Sequence, residues 1–410
     1  MSDANLWSGA KGAVTGAGWG TPGMRVLAAM CGRLTTGRLT VLAPDGSQRV
    51  FEGPKGGAFR ATLQVHRPRL ALRVLRGGAL GFAEAYLDGD CDTPDLAGLL
   101  RLFLANGDDL AYEWQGRPWV RAIKRLYHRL RPNTKRGARR NIHAHYDLGN
   151  AFYEAWLDPG MTYSAARFDA TGDLEAAQSA KNRQLAEMLE LRPGQHVLEV
   201  GCGWGGFAEL AAAEYGCRVT GLTISEEQFA YARERIARAG LADRVEIRFQ
   251  DYRDVRGRFD AIASIEMFEA VGEAYWPVYF RCLHDRLHRG GRCGLQAITI
   301  ADRYFDDYRQ GVDFIQRYVF PGGMLPSPTR LRLEAERAGL AVERAVAFGQ
   351  DYARTLAIWA QRFGRAWPQI QRQGFDERFR RTWSYYLAYC EAGFALGSID
   401  VEQVVFRRLA

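Results

Sequence analysis

The sequence predicts an α/β protein whose larger, C-terminal part is a parallel sheet covered by helices on both faces, preceded by a small α+β domain. Three observations point there. The chain has 410 residues, more than one module usually holds, and its 47% apolar and 25% charged residues are a globular composition. Beyond residue 143, apolar strand-like runs and helical runs alternate strictly, the pattern of strands buried on both faces. Between residues 26 and 112 the runs are short, β-like and separated by turn signals.

Residues 1–25 read as a tail, and 26–112 as the small domain. Leu39 to Leu42 lead into Pro44-Asp45-Gly46, and Phe59, Ala61, Leu63 and Val65 alternate with polar neighbours before Pro68, so each stretch reads as a strand ending in a turn. GALGFAEAYLDGDCDTPDLAGLLRLFLAN reads as a helix, a turn near Asp88 to Asp90, and a second helix opening at Thr93-Pro94. The acids Glu84, Asp88, Asp90, Asp92 and Asp95 suit turns and helix caps, and nothing in this domain looks catalytic.

A basic linker, 113–142, follows. Arg117 to Arg140 contain ten Lys or Arg and no acid, so the segment carries +10; subtracting it from the net +8 leaves the rest of the chain at −2. Trp119, Val120, Ile123, Leu126, Tyr127 and Leu130 recur at helical spacing, Arg121, Lys124, Arg125 and Arg129 fall largely on other faces, and Pro132 ends the run. Such a helix either adsorbs to an anionic lipid surface or packs on the core with a solvated charged face.

In 143–410, a helix from about Leu174 to Leu191 precedes the strand HVLEVG, the helix GGFAELAAAEY, the strand RVTGLTI and the helix EEQFAYARERIARAG. RVEIRF, FDAIASI and RCGLQAI add apolar strands, and ligands are expected at the carboxyl ends of such a sheet. Seven scattered cysteines with no C-x-x-C pair argue against a disulfide framework and a zinc site, and no metal is assigned. A reducing cytosol is the expected compartment. No charged head with an apolar stretch opens the chain and no run of about 18 apolar residues occurs, so export and membrane spanning are not expected.

At one strand end stands Glu199-Val200-Gly201-Cys202-Gly203-Trp204-Gly205-Gly206. A Rossmann fingerprint needs G-x-G-x-x-G, whereas E-x-G-x-G-x-G is the form usual in methyltransferases that bind S-adenosylmethionine; a purely structural turn is the alternative. The next strand ends near Thr223, and the one after at Asp251-Tyr252, where an acid can accept from an adenine amino group or merely end the strand. Ser225 with Gln228 would make an ordinary capping box.

NIHAHYDLGNAFYEAWLDPGMTYSAARF, VLEVGCGWGGFAELAAAEYGCRVTGLTISEEQ, SIEMFEAVG, DFIQRYVFPGGMLPS, DYARTLAIW and YYLAYCEAGF resemble, in order and spacing, the cyclopropane-fatty-acyl-phospholipid synthase family from about residue 140 to the C-terminus. The small domain looks like that of the two-domain bacterial members. The resemblance implies a Rossmann-like class I methyltransferase sheet with a helical insertion. It also implies transfer of a methyl group from S-adenosylmethionine to a cis double bond of an unsaturated phospholipid acyl chain, by an enzyme lying peripherally on the inner face of the membrane, commonly as a homodimer. For the donor it places Tyr163 and Ser164 near the methionine end, Gly201, Gly203 and Gly205 under it, and Thr223 and Gln228 by the ribose; Glu266 is also assigned to donor binding, and Asp251 and Tyr252 are our choices for the adenine. His145, Tyr146 and Asp147 fall in a motif that looks like a lid, though His145 can equally pack at a helix start.

An alkene is a weak nucleophile, so the sulfonium methyl must be held close and in line, and the resulting carbocation calls for a dry pocket with aromatic faces. Phe305, Tyr308, Phe314, Tyr318, Phe320, Tyr352 and Trp359 are available, fewer than half of them expected to line the acyl tunnel. The resemblance implies a bound bicarbonate as base, and carries its ligands onto Glu269, Ile298 and Tyr352. Two positions depart from the pattern: Ala165 stands where cysteine is common and Gln296 where histidine is. Gln296 can donate a hydrogen bond but cannot relay a proton, and Ala165 can do neither through its side chain, which puts bicarbonate in doubt. The product can then be a cyclopropane or a methyl-branched or methylene chain. Two other classes compete: a nucleic-acid methyltransferase using the basic segment on phosphates, disfavoured because no recognition module is present, and a non-catalytic lipid-binding protein, disfavoured by the intact glycine turn.

Overall fold

Alternation of buried and outward residues builds the first sheet. In the computed structural model, which describes residues 17–107, 148–168 and 172–409, the chain forms two compact units, 1–120 and 121–410. In the first, β1 (Arg38–Leu42) buries Leu39 and Val41 and runs parallel to β3 (Arg60–Val65), which buries Leu63 and Val65. Antiparallel β2 (Gln48–Glu52) and β4 (Cys91–Asp92) complete the order β2-β1-β3-β4. Helices α1 (Pro22–Cys31), α2 (Arg69–Leu87) and α3 (Leu96–Ala105) supply Met24, Leu70, Val74, Phe82, Leu99 and Leu102 to its core.

Three expectations for this unit change. The tail does not reach residue 25: Trp19 and Met24 are buried apolar anchors, and Thr21 caps α1. The last helix opens at Leu96, not at Thr93-Pro94, because the Asp95 side chain accepts from the Gly98 amide at 2.8 Å. Asp90 lies in the expected turn, but its side chain serves neither turn nor cap; it is wholly buried and takes ion pairs from Arg67, Arg69 and Arg73, which is what allows a carboxylate there.

The second unit is a seven-stranded sheet of order β10-β11-β9-β8-β5-β6-β7. Its strands are β5 (His196–Val200), β6 (Arg218–Thr223), β7 (Val245–Phe249), β8 (Phe259–Ile265), β9 (Leu287–Ile300), β10 (Leu340–Ala347) and β11 (Ile399–Arg408). The helices, following on from α3, are α4 (Asn150–Glu154), α5 (Leu174–Met188), α6 (Gly206–Ala213), α7 (Glu226–Arg238) and α8 (Trp276–Arg286), then α9 (Asp302–Gln310), α10 (Phe314–Tyr318) and α11 (Pro328–Arg337) inserted after β9. Two long helices, α12 (Gly349–Gln371) and α13 (Glu377–Ala395), connect β10 to β11. One apolar cluster gathers Leu198, Phe268, Trp276, Phe280, Leu295 and Phe406; another gathers Leu185, Val197, Phe207, Ile236 and Ala263.

Strands β5 to β9 are parallel as expected, but the sheet is mixed: β11 runs antiparallel to both β9 and β10. β11 escapes a search for apolar runs because Glu402 and Gln403 interrupt it. Both are buried with partners, Glu402 with Arg332 at 2.7 Å and Gln403 with two other glutamines. β10 hides for the opposite reason, since only Leu340 of that edge strand is buried. Helix α5 ends at Met188, short of Leu191, where Glu190 adopts a φ of 54°. No helix among the described residues is long and apolar enough to cross a membrane.

Candidate active site

The carboxyl end of β5 turns into α6 through Gly201, Gly203 and Gly205, at φ 81°, 52° and 85°. The amides of Gly201 and Cys202 both donate to the Leu222 carbonyl, pinning the turn to the end of β6. A side chain at Gly201 would meet Met267 at 2.7 Å, whereas one at Gly203 would meet nothing within 4 Å, so open space stands over the turn. Trp204 donates to the Asn150 side chain at 2.8 Å and packs its ring on Tyr153, centroids 5.1 Å apart. His145, Tyr146 and Asp147, just before Asn150 in the same motif, lie outside the described residues, as does the basic segment with Arg121, Lys124, Arg125 and Arg129.

At the end of β6 the Thr223 hydroxyl donates to Gln228 Oε1 at 2.9 Å. Ser225 caps α7 by accepting from the Gln228 amide, but the expected reciprocal box does not form because the Gln228 side chain faces Thr223 instead. Past β7, Asp251 is not a free acceptor: Arg253 donates its backbone amide, Nε and Nη2 to it. Tyr252 packs edge-on against Tyr279, centroids 5.4 Å apart. The three strand ends thus present the open glycine turn and two immobilised polar pairs in a row. That arrangement suits a ligand with a small chain over Gly203, a ribose near Thr223 and Gln228, and a base near Asp251 and Tyr252.

Past β8 come two half-buried carboxyls. Glu266 Oε1 accepts from the Ala165 amide at 2.7 Å and from Gln296 Nε2 at 2.8 Å, and Oε2 from the Tyr352 hydroxyl at 2.7 Å. Burial raises the Glu266 carboxyl against these bonds and the nearby Lys181, which lower it. Glu269, in a 3-10 turn over Phe268–Ala270, accepts from the Ile298 amide on Oε1 at 2.5 Å, while its Oε2 has no hydrogen-bond partner among the described residues. Burial, with the charge of Glu266 nearby, pushes Glu269 up to about 8.

The sequence reading set Glu269, Ile298, Gln296, Tyr352 and position 165 around one bound anion and gave Glu266 to the donor. The structure divides them: Ala165, Gln296 and Tyr352 converge on Glu266, and Ile298 serves Glu269. The physical reason is register. Ile265 pairs with Gln296 across β8 and β9, which sets Glu266 beside the Gln296 side chain and carries Glu269 on to Ile298.

Ser164 accepts from Lys181 Nζ at 2.8 Å. Lys181 is fully buried, and burial pulls its ammonium down against the attraction of Glu266, Asp158 and Glu199. Sequence reasoning passed over it, because a lysine on an amphipathic helix ordinarily faces water. Tyr163 donates to or accepts from Tyr386 at 2.8 Å, and its ring lies among Tyr153, Trp156 and Trp359, centroids 5.4 to 5.7 Å away. Of the seven aromatics proposed for a tunnel, Tyr352 and Trp359 stand here and Phe320 reaches Tyr386, whereas Phe305 stacks on Trp276 in the core and Phe314 packs on Tyr385. Tyr153, Trp156, Trp383 and Tyr386 were missed; two pairs of aromatics, each three positions apart, read as ordinary helix core.

A seven-stranded sheet with one antiparallel strand, a glycine turn after the interior strand β5 and polar pairs at the next two strand ends define a class I, S-adenosylmethionine-dependent methyltransferase. The donor supplies an electrophilic methyl carbon when bound. Residues 133–404 match the family model for mycolic acid cyclopropane synthetase, and the chain belongs to that family. It is 40% identical to tuberculostearic acid methyltransferase UfaA1 of Mycobacterium tuberculosis, over 89% of this chain and 86% of the relative. To the cyclopropane-fatty-acyl-phospholipid synthase of Escherichia coli it is 39% identical, over 86% and 89%. Among solved structures, mycolic acid cyclopropane synthase CmaA1 complexed with SAH and CTAB superposes with a TM-score of 0.62 at 30% identity, covering 66% of this chain and 98% of its own.

Proposed function

We propose that the enzyme adds the methyl carbon of S-adenosylmethionine to a cis double bond of an unsaturated phospholipid acyl chain, through a carbocation. The observation that carries this reading is the pairing of two half-buried carboxyls, Glu266 and Glu269, with the rings around Tyr163 next to the glycine turn. Carboxylates and π faces together stabilise a cation formed away from water. Loss of a proton from the added methyl closes a cyclopropane; loss from a neighbouring chain carbon gives a methyl-branched or methylene alkene. The two relatives' names span both outcomes. Incubation with donor and vesicles of unsaturated phospholipid should make an acyl chain heavier by one methylene unit, and hydrogenation or nuclear magnetic resonance separates ring from alkene. An unmodified acyl chain, with donor binding demonstrated, refutes the reading.

The same reading has the enzyme dock peripherally on the inner membrane face through Arg121, Lys124, Arg125 and Arg129, since its target bond is buried in a bilayer. Each basic residue near an anionic leaflet contributes about 1 kcal/mol. Neutralising all four should weaken co-sedimentation with anionic vesicles while sparing donor binding; unchanged sedimentation counts against the idea. Sedimentation equilibrium tests the homodimer that the resemblance implies.

A further inference from the structure

The carboxylate of Glu266 fills a socket built for an anion. Three donors from three separate segments converge on it: the Ala165 amide, Gln296 on β9 and Tyr352 on α12. The orientation of Gln296 is fixed by a chain of amides, in which Gln184 donates to Gln403 Oε1 and Gln403 donates to Gln296 Oε1, leaving the Gln296 nitrogen aimed at Glu266. Position 266 has a φ of 48°, the left-handed region where glycine is the natural occupant. A side chain there strains the backbone, and the chain accepts that to place a carboxylate at this point. These three donors are the very positions, 165, 296 and 352, to which the resemblance assigned a dissolved bicarbonate.

We infer that Glu266 is the enzyme's own base: its carboxylate replaces a dissolved anion and receives the proton lost from the substrate cation. The inference rests on the function proposed above. The alkene π pair bonds to the methyl carbon as the sulfur–carbon bond breaks, its electrons staying on sulfur. A C–H bond of the resulting cation then breaks, its electron pair closing the ring or forming a new alkene. The proton goes to Glu266 Oε2, which among the described residues accepts only from Tyr352, and leaves later to solvent. Glu269, whose Oε2 is unpartnered, remains to face the positive charge.

The test compares wild type with Glu266→Gly and Glu266→Gln in decarbonated buffer. Glycine suits the backbone at this position, so Glu266→Gly should fold with an undiminished melting temperature and bind donor with little change by calorimetry. Its turnover should fall by about a hundredfold or more and recover, saturably, on adding bicarbonate or formate to the vacated socket. Glu266→Gln should be equally slow and not rescued, because the amide fills the socket. Wild type should be indifferent to bicarbonate. A wild type that stops when bicarbonate is stripped, a Glu266→Gly enzyme that runs at full rate without added anion, one that neither anion rescues, or one that loses its donor affinity would each overturn the inference. Absence of any lipid product from wild type would defeat the proposed function itself, and the inference with it.

Discussion

Replacing Glu269 with Gln should lower turnover by about 10²–10³-fold, the usual loss when one preorganised electrostatic group of a site is removed, with donor affinity little changed. Glu269 Oε1 is tied to the Ile298 amide and Oε2 has no hydrogen-bond partner among the described residues, so this carboxyl keeps an oxygen unspent for positive charge that develops during reaction. Gln keeps the bond to Ile298 and the volume but cannot become an anion. If donor affinity collapses while turnover at saturation survives, the role is misassigned. Stability supplies a second readout. Burial raises Glu269 from 4.5 to about 8, so between those pH values the folded protein keeps a proton that the unfolded chain has released. Its contribution to stability is therefore full below pH 4.5 and is lost as pH rises to 8. Calorimetric melting temperatures across that window should decline less steeply in Glu269→Gln than in wild type; parallel declines would show that Glu269 ionises normally.

Gly203→Ala should weaken S-adenosylmethionine binding by about a hundredfold, the equivalent of roughly 2.8 kcal/mol, without unfolding the enzyme. The added methyl meets no protein atom within 4 Å, so the protein itself has room for it. The backbone, at φ 52°, is strained by about 1 kcal/mol, which corresponds to a fall in melting temperature of about 2–4 °C. The methyl instead enters the open space over the turn, where our reading puts the donor's methionine end. Gly201→Ala is the contrasting variant, since its methyl strikes Met267 at 2.7 Å and should destabilise the fold as well. Unaltered donor affinity in Gly203→Ala would move the donor away from this turn.

Much of the site was legible from local pattern. The glycine turn, the strand-ending Thr223, Asp251 and Glu266, and the aromatic Tyr352 and Trp359 lie in motifs whose spacing survives without any knowledge of packing. The five parallel strands were visible because a strand buried on both faces must be a continuous apolar run. β11 was not, because Glu402 and Gln403 are tolerated inside a sheet only through partners on Arg332, Gln184 and Gln296, which lie 70 to 219 positions away.

The sequence by itself determined the class of sheet, the glycine turn and the presence of two acids three positions apart. Which acid faces which partner was decided only by tertiary structure. The β8–β9 register sets Gln296 against Glu266, a helix far along the chain adds Tyr352, and the 3-10 turn swings Glu269 to Ile298. Hydrogen-bond partners and burial, which separate an ionised carboxylate from a protonated one, depend on groups brought together by packing, and no local pattern carries that information.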